Sequence, residues 1–192
     1  FFELKQSNIY TLIILYVSFC TLWILSAGFG TPAALIAGFI FGKWLGLVLL
    51  IISVAMGATG LYMFANLYLK DFIKRNFLNK FKILEKKFRD SELTYLLIFR
   101  FVGGIPFPIA NVLPCLFNVK VSNYFYAVLI GITPQSFMMV SIGSGIEKII
   151  DNNMDTPTIT DIITSPDIYL PLFGFFIIFF LSVFMKRLFY KN

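Results

Sequence analysis

Residues 96–111 read LLIFRFVGGIPFPIAN, and this stretch decides the fold. Arg100 stands inside an otherwise apolar run, and the breaker Gly103-Gly104-Ile105-Pro106-Phe107-Pro108 follows it. Residues 93–102 alone would form a helix of about 15 Å, roughly half of the hydrocarbon thickness of a bilayer. Broken backbone at that depth is tolerated only inside protein or beside a water-filled cavity. The stretch therefore predicts a re-entrant hairpin over residues 93–117.

The composition is that of a membrane protein. Of 192 residues, 58% are hydrophobic and only 14% are charged, whereas a soluble domain carries about 25% charged residues. The chain has no histidine, which removes the commonest metal ligand and general base. We therefore expect no enzymatic activity, no metal and no other cofactor. Cys20 and Cys115 lie in apolar runs and do not indicate a disulfide framework.

The charged residues predict a topology. Residues 70–92 hold eight Lys/Arg against four acids, whereas residues 146–167 hold five acids against Lys148 alone. Because short basic loops stay in the cytoplasm, residues 70–92 are predicted to be cytosolic and residues 146–167 to be an extracytoplasmic acidic loop. Residues 168–185 then form the last transmembrane helix, which returns to a basic tail.

An offset of 76 positions relates two parts of the chain. It places Pro32 on Pro108, Gly38 on Pro114, Phe41 on Phe117 and Gly42 on Asn118. The loop charges give the two parts opposite orientations, which is typical of an inverted repeat with a binding site near the midplane. We expect an all-α polytopic membrane protein with one membrane domain, residues 1–192. Each repeat, 8–69 and 93–145, would be a re-entrant hairpin plus a transmembrane helix, with an additional C-terminal transmembrane helix.

The first apolar run, residues 8–27, allows two interpretations. It is either a complete span before a short hairpin, or the entering arm of a longer hairpin that begins outside. In the second case we expect a further span before Phe1. The small residues Ser26-Ala27-Gly28 resemble a signal-peptide cleavage site, but the run is too long and no basic segment precedes it, so we expect it to be retained.

The two broken segments supply the candidate site. Arg100 can hold a phosphate through two parallel hydrogen bonds, or it can act as a structural clamp on the carbonyls of the broken helix. The first broken segment is Gly28-Phe29-Gly30-Thr31-Pro32. In it, Thr31 is predicted to be an N-cap and Pro32 the first helical residue. Gly38, Gly42 and Gly46 have the spacing that lets helices pack closely. The full predicted site is Thr31, Pro32, Gly38, Gly42, Arg100, Gly103, Gly104, Pro106, Pro108 and Asn111.

The cytosolic segment has the pattern of a basic amphipathic helix. It would present six cations to anionic lipid at the membrane surface, namely Lys74, Arg75, Lys82, Lys86, Lys87 and Arg89. The alternative is that these charges act only as a topology signal.

These patterns resemble the DedA superfamily, also called VTT-domain or SNARE-associated Golgi proteins. The motifs are Pro32-(x5)-Gly38-(x2)-Phe41-Gly42-(x3)-Gly46 in the first half and Arg100-(x5)-Pro106-Phe107-Pro108-(x2)-Asn111 in the second, with Gly131-(x2)-Pro134 after it. The second half is similar to the Tvp-type branch. The resemblance covers about residues 8–145 and implies two opposed re-entrant hairpins and lipid translocation. It places Arg100, Pro106, Pro108 and Asn111 in the inner hairpin and Pro32 and Gly38 in the outer one.

The resemblance implies a phospholipid scramblase or a polyprenyl-phosphate flippase. Many bacterial members have acids in the first hairpin, but this chain has none between Lys5 and Lys70, which favours passive scrambling. The partners would be membrane lipids, bound through phosphate head groups, and no nucleic acid. Two alternatives stay open, an inverted-repeat transporter of an ion or small anion and a non-transporting membrane organiser. We expect a multi-pass protein of a bacterial inner membrane, or alternatively of a Golgi- or ER-type membrane. The sequence does not decide its oligomeric state.

Overall fold

The computed structural model describes residues 8–77, 91–102 and 107–152, with scattered positions between 160 and 177. All secondary structure in this part is helical, so the expected all-α class is confirmed there. The elements are α1 (Ile9–Leu25), α2 (Gly30–Phe64), a π-helical turn (Ala65–Leu69), α3 (Lys70–Phe77), α4 (Glu92–Val102), α5 (Phe107–Val112), a 3-10 turn (Leu113–Phe117), α6 (Val121–Gly131) and α7 (Thr133–Asn152).

Helix α2 is broken at Gly42, where φ is 74° and ψ is 179°. Only glycine adopts this backbone conformation without strain. The chain turns back at Gly42. This is shown by Gly46, where an added Cβ would lie 2.5 Å from the carbonyl oxygen of Ala37. In a straight helix, residues nine positions apart would be separated by about 13.5 Å. Residues 30–41 and 43–64 are therefore the two arms of a helical hairpin.

One helix in the described part, Gly30–Phe72, is long and apolar enough to cross a membrane. Because Gly42 interrupts it, the continuous length lies after the break, where residues 43–64 alone extend about 33 Å. A bilayer core is about 30 Å thick. Helices α6 and α7 meet at an angle of 44° and pass the same test as a bent pair, whereas α1 is a shorter apolar helix.

Residues 1–33 and 48–133 form one compact unit. Within it, α1 packs on the second arm of α2, where the Thr21 hydroxyl donates a 3.4 Å hydrogen bond to the Ser53 carbonyl. Gly57 permits this contact, since a Cβ there would lie 2.7 Å from the Thr21 carbonyl oxygen. The buried Tyr16 hydroxyl donates to the Ala33 carbonyl at 3.0 Å, which joins α1 to the first turns of α2.

Residues 34–47 and 134–192 form the second unit. In it the tip of the first hairpin packs backbone to backbone on α7. A Cβ on Gly38 would overlap the Val140 carbonyl, and one on Gly143 would overlap the Leu35 carbonyl. Gly38 is thus a position of close approach, as the small-residue spacing predicts, whereas Gly42 supplies the turn.

Three expected boundaries differ from the structure. The N-cap of α2 is Phe29, with φ −76° and ψ 139°, so the prediction that Thr31 caps the helix is wrong. The apolar run 121–142 is bent at residue 132, because Pro134 lies in the first turn of the helix that begins at Thr133 and cannot continue the preceding helix. Helix α7 continues to Asn152, so residues 146–152 are helical where we expected the acidic loop to begin.

Several predicted positions lie outside the described residues. They are Gly103, Gly104, Pro106, Lys82, Lys86, Lys87, Arg89 and most of the expected last helix, residues 168–185. Residues 70–77 of the basic segment are helical, and Arg75 is exposed on α3. Lys74 lies on the same helix, and Pro108 lies in the first turn of α5.

Candidate functional site

Arg100, in the last turn of α4, is bonded to a tyrosine of α6. Its Nη2 donates a 2.7 Å hydrogen bond to the hydroxyl oxygen of Tyr124. The guanidinium carbon also lies 5.3 Å from the centre of the Tyr124 ring, within the range of a cation–π contact. Tyr124 is completely buried and Arg100 is half-buried. The arginine that stands out in the sequence is therefore held by a neutral partner inside the protein.

The same hydroxyl reaches Asn111 in α5. The Tyr124 oxygen lies 3.1 Å from the Asn111 backbone carbonyl and 3.2 Å from the Asn111 Oδ1. A phenol has one proton, so Tyr124 donates to one of these oxygens while it accepts from Arg100. The structure thus brings Arg100 and Asn111, both predicted as site residues, onto one shared atom.

Two hydrogen-bond donors at this cluster have no partner among the described residues. They are the Nε of Arg100 and the Nδ2 of Asn111, and both atoms are buried. A buried donor without an acceptor costs about 1–3 kcal/mol, and more when it is charged. The described residues contain no group of three or more His, Cys, Asp or Glu side chains suited to a metal ion. A cluster of free donors around a cation is chemically suited to an oxygen-bearing anion.

The Tyr124 ring is fixed by a second tyrosine, Tyr62 of α2. The two rings stack with centroids 4.4 Å apart and an angle of 14°. The Tyr62 hydroxyl donates a 2.6 Å hydrogen bond to the Val119 carbonyl, and Tyr62 is completely buried. The stack therefore holds the ring of Tyr124 against the second arm of α2.

Gly131 lets α6 approach α4 at the level of the arginine. A Cβ at Gly131 would lie 2.7 Å from the Cβ of Arg100 and 3.1 Å from its Cγ. The position of Cβ is fixed by the backbone, so this contact cannot be relieved by rotating the arginine side chain. The glycine in Gly131-(x2)-Pro134 therefore allows Arg100 to enter the helix interface.

Glu92 closes the other end of this hairpin. Its Oε2 accepts a 2.7 Å hydrogen bond from the Nδ2 of Asn123 and a 3.2 Å hydrogen bond from the backbone N–H of Lys120. Lys120 is the N-cap of α6, and Asn118 just before it has the left-handed values φ 52° and ψ 42°. The carboxylate thus joins the start of α4 to the start of α6.

The remaining predicted residues lie apart from this cluster. Thr31 and Pro32 are exposed in the first turn of α2, whose start lies near α5, since a Cβ on Gly30 would be 3.9 Å from Phe107 Cε2. Gly38 and Gly42 serve packing and the turn, so their place in a translocation path stays a prediction. Sequence reasoning missed Tyr124 and Tyr62. The available signal was that a tyrosine within an apolar segment needs a partner for its hydroxyl.

Comparisons with known proteins give the family. The profile of the VTT domain matches residues 28–145. The Transmembrane protein 41 homolog of Caenorhabditis elegans is 25% identical over 118 residues, which cover 60% of this chain and 48% of that protein. An uncharacterized membrane protein of Arabidopsis thaliana is 25% identical over 134 residues, covering 66% of this chain and 47% of its own length.

The chain spans about half the length of these two curated relatives. No solved structure matches it significantly. The matched region is more than half of the chain and contains Arg100, Asn111, Tyr124 and the break at Gly42. The chain therefore belongs to the VTT-domain family, the DedA or SNARE-associated Golgi family that its motifs resemble.

Proposed function

We propose that this chain is a polytopic membrane protein that translocates phospholipid, by lowering the barrier that the phosphate head group meets in the bilayer. The observation that carries the proposal is a pair of buried donors, Arg100 Nε and Asn111 Nδ2, that have no partner among the described residues. Transfer of an ionised group without a partner from water into an apolar medium costs on the order of tens of kcal/mol. Donors placed inside the protein offset part of that cost for a head group.

The backbone supports the repeat on which a translocation path would be built. The 76-residue offset pairs Gly42 with Asn118, and both have positive φ, 74° and 52° respectively. Pro32 and Pro108, also paired by the offset, both lie in the first turn of a helix. A positive φ and a proline in the first turn of a helix therefore occur at the spacing of the offset, although ψ differs between Gly42 (179°) and Asn118 (42°). The opposite orientation of the two hairpins rests on the charges of the loops.

The same offset indicates that the two hairpins differ in chemistry. It pairs Arg100 with Ile24, Asn111 with Leu35 and Tyr124 with Val48. The polar cluster therefore has no counterpart in the first hairpin. Because the charge distribution places the second hairpin on the cytosolic side, we propose that head groups are engaged from the cytosolic leaflet. The membrane would be a bacterial inner membrane or a Golgi- or ER-type membrane.

The test is a translocation assay in vesicles of phosphatidylcholine and phosphatidylglycerol that contain a trace of NBD-labelled phosphatidylcholine. Dithionite quenches only the outer leaflet, so empty vesicles lose about half of their fluorescence. With the protein present we expect quenching to proceed well beyond half. Arg100→Ala should restore the plateau near half, whereas the matched control Lys120→Ala, which removes an exposed cation at the start of α6, should not. A wild-type plateau near half, or full quenching with Arg100→Ala, contradicts the proposal.

A second candidate function follows from the same donors, which recognise phosphate whether or not it is attached to a lipid. A transporter of small anions would carry inorganic phosphate into these vesicles in a saturable manner. Radiolabelled phosphate uptake measured beside the quenching assay separates the two. We expect no uptake above that of empty vesicles.

A further inference from the structure

We propose that Tyr124 is a positioning residue, whose hydroxyl holds Arg100 and Asn111 at the place where phosphate binds and gives up Arg100 to the phosphate. The identity of the ligand rests on the proposed function. The positions of the three residues rest on the hydrogen bonds that join them.

The first step is that the hydroxyl is a fixed point. Tyr124 is completely buried, its ring stacks on Tyr62 at 4.4 Å, and Tyr62 is itself anchored to the Val119 carbonyl at 2.6 Å. The ring therefore has no room to swing. A group bonded to its oxygen is held at a defined place in the protein.

The second step is that the hydroxyl occupies only part of what Arg100 offers. Nη2 and Nε lie along one edge of the guanidinium, the edge that binds two oxygens of one phosphate. The Tyr124 oxygen accepts from Nη2, whereas Nε has no acceptor in the part of the chain that the structure describes. An anionic oxygen is a stronger acceptor than a phenol. A phosphate that reaches Nε can therefore take Nη2 from the hydroxyl and also accept from Asn111 Nδ2.

The third step concerns Arg100 without the hydroxyl. A long cationic side chain at an apolar position extends toward water when it can, and Arg100 is only half-buried. Its Cβ is held against Gly131, but the atoms beyond Cγ are free to turn. The cation–π contact with the ring would be the remaining described restraint. Loss of the hydroxyl alone should therefore empty the site of its charge.

The experiment compares four proteins: wild type, Arg100→Ala, Tyr124→Phe and Tyr62→Phe. Tyr62→Phe is the matched control, since it removes the hydroxyl of a buried tyrosine in the same stack whose bond goes to Val119 and not to Arg100. Two readouts are taken. One is the ratio of translocation rates for NBD-phosphatidylcholine and NBD-glucosylceramide, whose head group has no phosphate. The other is the rise in Tm in dodecyl maltoside on adding either lipid.

We expect Tyr124→Phe to lower the rate ratio about tenfold, which corresponds to ~1.4 kcal/mol, and to match Arg100→Ala. Both should lose the rise in Tm that phosphatidylcholine gives the wild type, and Tyr62→Phe should keep it. A merely structural defect would slow both lipids equally and leave the ratio unchanged. If Tyr124→Phe does not fold, the double variant Arg100→Leu/Tyr124→Phe shows whether the unheld guanidinium causes the failure. Recovery of folding identifies the unheld guanidinium as the cause, and continued failure overturns the proposal.

The outcomes separate this inference from the proposed function. If the wild type moves no lipid but phosphatidylcholine raises its Tm through Arg100 and Tyr124, translocation is wrong and the positioning role stands. If the wild type moves phospholipid and Tyr124→Phe behaves like Tyr62→Phe, the positioning role is wrong and translocation stands. If phosphatidylcholine raises the Tm of no variant, the inference is overturned.

Discussion

Arg100 on α4 and Tyr124 on α6 are joined by a 2.7 Å hydrogen bond between Nη2 and the phenolic oxygen. Among the described residues, the arginine is therefore held by a neutral acceptor and not by a carboxylate. A carboxylate in that place would cancel the charge and compete with an anionic ligand. The phenol instead keeps the guanidinium in position while its positive charge stays available. This choice of partner suits a site that must bind an anion and release it.

The planar guanidinium group of Arg100 leads to a prediction about its replacement by lysine. Arg100→Lys keeps the positive charge but removes the edge formed by Nε and Nη2, because an ammonium group is a point charge without a planar fork. We expect phospholipid translocation in the vesicle assay to fall about tenfold or more, toward the level of Arg100→Ala. The same change at the exposed Arg75 should have no effect. Full activity of Arg100→Lys would show that charge alone suffices.

Gly131→Ala should destabilise the protein. The new Cβ would lie 2.7 Å from the Cβ of Arg100, so α4 and α6 must move apart, and overpacking of this kind costs about 1–3 kcal/mol. We expect a lower Tm in detergent and slower translocation. Gly30→Ala is the control, because the nearest described atom to its Cβ is Cε2 of Phe107 at 3.9 Å, an ordinary contact. Equal melting of the two variants would show that α6 can shift without penalty.

Gly42→Ala tests the backbone of the first hairpin. Gly42 has φ +74°, and an added Cβ would meet nothing within 4 Å, so any loss of stability comes from the backbone alone. Holding a residue other than glycine in such a region costs about 1–3 kcal/mol. Gly174→Ala is the matched control, since its Cβ also meets nothing within 4 Å and its φ is not positive. A Tm of Gly42→Ala as high as that of Gly174→Ala would argue against the turn.

Glu92→Ala should weaken the closed end of the second hairpin. The change removes the acceptor of two hydrogen bonds, from Asn123 Nδ2 at 2.7 Å and from the Lys120 N–H at 3.2 Å. We expect a loss of about 1–3 kcal/mol in the free energy of unfolding. Glu92→Gln should recover much of it, because its amide oxygen can still accept. Asp71→Ala, a loss of an exposed acid on α3, serves as the control and should change the Tm little.

Arg100 and Asn111 could be predicted from the sequence because polar groups inside apolar runs are conspicuous and need a reason to be there. Tyr124 could not, since tyrosine is common in apolar helices and nothing in the sequence shows which partner its hydroxyl meets. That partner lies 24 positions away on another helix. The sequence therefore identified the charged and the amide residue of the candidate site, but not the tyrosine that joins them.

The fold was predicted in part where residue type restricts the backbone. The sequence offset pairs Gly42 with Asn118, and the structure shows a positive φ at both, a feature that the offset itself did not predict. Helix ends were predicted less well. Pro32 is compatible with any position in the first turn, because none of those N–H groups bonds within the helix, so it could not distinguish a cap at Thr31 from the observed cap at Phe29.

The end of α7 differed from the expectation for a related reason. Glu147 and Asp151 indicate a loop when their charges are counted, but they are four positions apart and so lie on one face of a helix. Ile149 between them is buried. Counting charges does not show how they are arranged along a helix, and the helix continues to Asn152.

The contact between Gly38 and the Val140 backbone also has a consequence for how the protein is made. The first hairpin cannot complete its packing until the ribosome has added about 100 more residues. At roughly 5–20 residues per second, that interval is on the order of 5–20 s. During that time the first hairpin lacks the backbone contact that Gly38 makes with α7. The contact can therefore form only late in synthesis, after α7 has been made.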